Sequence, residues 1–235
     1  MADSDSFAPT LGMPSRLQKR LDDWKEHPPK WQHKAYGPLI AYLSVRFPPD
    51  KFLIKAQSLL REEDATPDAG DGDESEDIWT EGHSFSSVDS RGQPVSGKYV
   101  YPDFCVDQYW GADDDSNPKP DVIRIIMEAG SVGKTASRDR VKKLENPNPK
   151  LKEKTQSDML VQLKAYMDLA GPQRWDGRLL GIAILGNEAY LLDLTDEDSS
   201  NVRDVTAGWI SIFDPKFVEE VDWMYHYSIE HDNDD

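Results

Sequence analysis

The chain has 235 residues, enough to bury one sizeable core with some decoration. Its 27 Lys and Arg stand against 44 Asp and Glu, and the resulting net charge of −17 excludes broad electrostatic attraction to phosphate backbones, so any nucleic-acid contact must be local. Hydrophobic residues make up only 37%, yet 7 Trp, 9 Tyr and 7 Phe supply large faces to bury, and the single cysteine, Cys105, rules out an intramolecular disulfide.

Residues 1–13 read as a polar tail. Within it MADSDSFAPT lacks the basic and apolar regions of a secretory signal, and no apolar run in the chain reaches membrane-spanning length. An intracellular protein, cytoplasmic or nuclear and without membrane contact, is expected. The stretch PSRLQKRLDDWKEH places Leu17, Leu21 and Trp24 at helical spacing behind Pro14, and the prolines at 28 and 29 end that helix. HKAYGPLIAYLSVRF predicts a second helix with Leu39, Ile40 and Leu43 on one face, closed by Pro48-Pro49. DKFLIKAQSLL fits neither the helical nor the strand period cleanly.

Residues 62–81 hold ten acids and no base, which predicts a solvated, disordered insertion. It lacks the ligand spacing of a calcium-binding loop. Strands are expected next, in the run ending KYVYPDFCVDQYW and in VIRIIMEAG, joined by the polar connection GADDDSNPKPD. KTQSDMLVQLKAYMDLAG carries Met159, Leu160, Leu163, Tyr166 and Met167 on one stripe, a helix that Gly171-Pro172 should stop. RLLGIAILG and EAYLLDL flank Gly186-Asn187 as a hairpin, VTAGWISIF suggests one more strand, and Pro215 opens a terminal helix in which Trp223, Tyr225 and Tyr227, with Trp209 before it, should cover the sheet. The order predicts an α/β fold with a central mixed β-sheet flanked by helices, one domain over 14–228, and an acidic tail over 229–235.

IRIIMEAGSVGKT, residues 123–135, poses the functional question. A phosphate-binding loop of the form Gly-x-x-x-x-Gly-Lys-Thr requires glycine at position 128, and the residue there is Glu128, so nucleotide binding over 128–135 is a remote reading. As a strand, alternation places Arg124, Ile126, Glu128 and Gly130 on one face and Ile125, Met127 and Ala129 on the other. Asp103, after Pro102, sits in a second strand-like run. Neighbouring strands bringing these two carboxylates together would offer the hard oxygen ligands that magnesium takes. The five histidines show no metal-ligand spacing with Cys105.

Pro102-Asp103 on one strand, Glu128 on the next, a helix bearing Gln162 and Tyr166, and then a strand hairpin resemble the PD-(D/E)XK superfamily of restriction-endonuclease-like folds. The chain is also similar to nuclease-like domains of fungal proteins that precede a kinase-like domain, with Tyr36, Pro38 and Leu39 matching their Tyr-x-Pro-Leu helix. The resemblance spans roughly residues 30–228 on a fold-length argument. It implies that Asp103 and Glu128 hold magnesium, for which manganese can substitute, with help from the Ala129 carbonyl, and that Gln162 lines the site.

The family's lysine belongs two residues after the acid, where this sequence has Gly130. Lys134 is the better substitute from nearby, against the plain alternative of a solvated surface lysine. No glutamate occurs on the helix of residues 33–46, where many relatives carry another acid. Residues 134–154 hold eight bases and three acids, a stretch able to contact nucleic acid or to pair with the chain's own acidic insertion. Two functions therefore stand open: metal-dependent phosphodiester hydrolysis, or a catalytically lapsed scaffold of the same fold that binds a protein partner.

Overall fold

The structure, a computed structural model, describes residue 7 and residues 12–30, 32–56, 60–61, 99–100, 102–109, 121–131, 149–174, 177–195 and 202–231. Its elements in chain order are α1 (Ser15–Asp22), α2 (Gln32–Arg46), β1 (Phe52–Ala56), β2 (Leu60–Arg61), β3 (Tyr99–Val100), β4 (Phe104–Gln108), β5 (Val122–Gly130), α3 (Pro149–Arg174), β6 (Arg178–Leu185), β7 (Glu188–Thr195), β8 (Arg203–Asp204), β9 (Ile210–Ser211) and α4 (Pro215–Glu230). The fold is mixed α/β: a seven-stranded sheet of order β1-β4-β5-β6-β7-β8, with β9 also on β7, lies among four helices. The acidic stretch 62–81, Lys134 and most of the basic stretch 134–154 lie outside the described residues. No helix among the described residues is long and apolar enough to cross a membrane.

Two cores form, one on each face of the sheet. Ile125, Met127, Ala129, Ile182 and Ile184 pack against Leu21 and Trp24 near α1, Leu39 and Leu43 of α2, and Phe217 and Val221 of α4. Ile126, Ala183, Leu185 and Leu192 point the other way, against Met159, Leu163, Tyr166 and Met167 of α3. Strands covered on both sides need nearly continuous apolar sequence, which VIRIIMEA and LLGIAIL supply. β5 and β6 run parallel, so the chain must cross over between them, and α3 lies on that crossover. β6 returns directly as β7 through Gly186, whose φ of 68° suits a tight hairpin turn.

The order of elements follows the sequence reading, and several boundaries do not. α1 ends at Asp22, short of Trp24 and His27. Within DKFLIKAQSLL, Phe52–Ala56 form strand β1, and Leu60 opens β2. α3 continues through Gly171-Pro172 to Arg174, where one missing N–H near the end of a 26-residue helix removes only a terminal bond. VTAGWISIF yields β9 alone, with β8 placed before it. α4 begins as expected: Asp214 accepts from the Lys216 N–H at 3.0 Å, and Pro215 fills the first helical position.

One register runs through two separate ladders. Ala56 lies opposite Phe104 in β1–β4, and Leu60 opposite Val100 in β2–β3, so four residues on and four residues back keep the same pairing. Pro102, which has no N–H to give, and Asp103 lie between β3 of one ladder and β4 of the other.

The alternation expected of β5 fails at Arg124. Val106 pairs with Ile125 but Asp107 pairs with Ile123, so β5 carries one extra residue against β4, a bulge at Arg124. The bulge swings Arg124 away from the α3 side, where Ile126 lies, and toward α4. There its Nε donates to Gln108 Oε1 at 2.8 Å and its guanidinium stands 5.7 Å from the Tyr227 ring centre. Gln108 in turn donates to the Ser228 carbonyl at 2.9 Å.

Candidate functional site

Beyond the bulge the expected alternation of β5 is regained, and it brings Glu128 and Gly130 to the end of the strand. Extending the β4–β5 register by one step from Phe104 and Met127 puts Asp103 opposite Glu128. Both acids are buried. The Asp103 backbone N–H donates to Glu128 Oε2 at 3.4 Å. The two carboxylates anticipated from separate strand-like runs are therefore neighbours at one end of the sheet.

Asp103 is held by donors from three places. Its Oδ2 accepts from the Ala129 N–H at 2.7 Å, a strand donor beyond the pairing of β4, which begins at Phe104. Gln32 Nε2, at the start of α2, lies 2.7 Å from each carboxylate oxygen. Tyr36 Oη, one turn along, donates to Oδ1. The Tyr36 ring also meets Phe104 edge-on at 4.8 Å between centres. Buried carboxylates keep their charge only with such donors, and charge-assisted bonds are about twice as strong as neutral ones.

Glu128 has a different setting. Burial pushes its carboxyl well above the usual carboxylate range and the nearby Asp103 charge pushes it further, while the Asp103 N–H acts in the opposite sense. One acid thus holds the donors and its neighbour is biased toward the protonated form, the usual result when two carboxylates share a low-dielectric site.

At Gly130, where the resemblance calls for lysine, the space is already filled. A Cβ built there would collide with Met159 Sδ of α3 and stand 2.9 Å from Leu185 Cδ1. The same contact recurs two helical turns on, where a Cβ on Gly181 would meet Met167 Sδ. α3 rests on the sheet through these two glycine-methionine contacts, so Gly130 has a packing role.

The other anticipated residues are dispersed. Gln162 is half-buried on α3 and its amide bonds Tyr166 Oη on the same helix. Ala129 enters the site through its N–H. Lys134 lies outside the described residues. Of the basic stretch, Lys152 pairs with Glu188 at 2.7 Å, and Lys164, further along α3, lies 4.0 Å from Asp204. The acid sought on the second helix is absent; the α2 residues that reach Asp103 are Tyr36 and Gln32, the latter one position before the stretch considered. Nothing in the local sequence distinguishes Gln32, because its role arises only when α2 docks on the sheet.

A magnesium ion requires about six oxygen ligands at roughly 2.0–2.1 Å. Here the Asp103 oxygens already accept from O–H and N–H groups, burial raises the Glu128 carboxyl above the usual carboxylate range, and no group of three or more His, Cys, Asp or Glu side chains is placed to hold a metal among the described residues. As arranged, these residues do not fit a hydrolytic magnesium centre.

The remaining buried charges have structural partners: Asp107 with Lys55 at 2.5 Å, and Asp193 with Arg178 at 2.7 Å. Comparison with known proteins finds no matching family model, no matching curated protein and no matching solved structure.

Proposed function

We propose that this chain is a nuclease-like α/β domain of restriction-endonuclease-like ancestry that has lost phosphodiester chemistry and serves as a protein-interaction scaffold. The observation that carries the reading is the seat of Gly130. The place where such a site would need a cation to position water and offset transition-state charge is packed with Met159 and Leu185. The donor shell of Asp103 supports it, and so does the net charge of −17, which opposes polyanion binding.

The competing reading, a metal-dependent nuclease, draws on one observation: Asp103 and Glu128 are brought together at the ends of adjacent strands. Incubating the chain with single- and double-stranded DNA and RNA, in excess magnesium or manganese, separates the two. The scaffold reading expects no cleavage above that of an Asp103→Asn/Glu128→Gln control. Cleavage by the unaltered chain that disappears in the control would establish the nuclease instead.

A further inference from the structure

α2 begins without a charge of its own to match its dipole. It has no acidic residue in its first turn, and Pro38 in its second turn removes a backbone donor. The sheet supplies what is missing. Ser131 Oγ, just past β5, accepts the Gln32 backbone N–H at 2.9 Å, and the buried Asp103 carboxylate lies against the Gln32 and Tyr36 side chains. Gln32 therefore fastens α2 twice, by its backbone to Ser131 and by its amide to both oxygens of Asp103.

An amide N–H2 that faces both oxygens of a carboxylate presents hydrogens where a cation would have to sit. Glutamate is nearly isosteric with glutamine and reverses this, turning a donor into a ligand. We infer that Gln32 is the residue that keeps a divalent cation off the Asp103–Glu128 pair, so that docking of the first turn of α2 takes the place of metal binding. The inference rests on the lapsed-nuclease reading and adds to it the residue responsible.

The geometry has a consequence in each direction. With Gln32 present, Asp103 is an anchor for α2. With glutamate at that position, a second carboxylate would face that of Asp103, with Glu128 on the neighbouring strand holding the Asp103 N–H. Such a cluster is repulsive when empty, and a divalent cation binding only the folded form would stabilise it by mass action.

The test is manganese titration of the full chain, followed by electron paramagnetic resonance for bound ion and by thermal midpoint. The unaltered chain is expected to bind none and to keep its midpoint. Gln32→Glu should melt lower without manganese, regain stability with it and bind one ion per chain, and adding Asp103→Asn should abolish that gain. Should Gln32→Glu not fold without metal, Gln32→Ala provides the second reading. Its first α2 turn, residues 32–36, should exchange amide hydrogens at least about tenfold faster while 39–46 are unchanged.

Manganese bound by the unaltered chain and lost in Asp103→Asn overturns both this inference and the lapsed-nuclease reading. A Gln32→Glu chain that neither loses stability nor gains an ion, while the unaltered chain neither binds nor cleaves, overturns this inference alone. Unchanged exchange in Gln32→Ala does the same.

Discussion

Glu128 shows what a buried acid costs when its neighbour holds the donors. Its ordinary pKa is near 4.5, and the folded environment raises it. Below that value the carboxyl is protonated in both folded and unfolded chains. As pH rises past it, the unfolded chain releases the proton and the folded chain keeps it, so stability falls by on the order of 1 kcal/mol per pH unit until the raised native value is reached. Glu128→Gln removes this dependence while retaining an acceptor for the Asp103 N–H. Its stability relative to the unaltered protein should grow with pH through that window in denaturant titrations; parallel curves would show that Glu128 is not perturbed. Gly130→Ala is the companion case. The added methyl meets Met159 and Leu185, and a loss of about 1–3 kcal/mol is expected from the denaturation midpoint. The acids were legible because each lay in or beside a strand-forming run and strand pairing is local in register. Gln32 was not, since its significance depends on where a separate helix lands, and Arg124 was misplaced because a bulge leaves no mark in the spacing of apolar residues.

At the scale of elements, the sheet is tied to its helices by two different devices. α3 is seated by shape, through Gly130 and Gly181 against Met159 and Met167. α2 and α4 are fastened by polar groups: α2 at Asp103 and Ser131, α4 through the chain of Arg124, Gln108 and the Ser228 carbonyl. Arg124 is fully buried. Arg124→Met should therefore lose about 2 kcal/mol or more, leaving Gln108 Oε1 without the Arg124 donor and removing the guanidinium beside Tyr227. A midpoint within error of the unaltered chain would mean that the Arg124–Gln108–Ser228 connection contributes nothing. Apolar periodicity made the long helices and the β6–β7 hairpin readable. It gave less for β1 and β2, whose pairing depends on partners far along the chain, such as Val100 for Leu60 and Phe104 for Ala56, and it placed a stop at Gly171-Pro172 that a long packed helix overrides.

At the scale of the whole molecule, helices cover both faces of a mixed sheet, and the site lies just before β4 begins, beside the last residues of β5. Of the two acids there, Asp103 faces α2, bonded to Gln32 and Tyr36. Residues retained for catalysis tend to be unfavourable for folding, so removing them is often neutral or stabilising, whereas a buried anchor destabilises when removed. Asp103 separates these cases. Denaturant unfolding of Asp103→Ala against the unaltered chain tests the account most directly. A loss of about 3 kcal/mol or more is predicted, because the bonds to the Asp103 carboxylate from the Ala129 N–H, Gln32 amide and Tyr36 hydroxyl all go in a buried site. Unchanged or increased stability would contradict it and return Asp103 to the role of a catalytic acid.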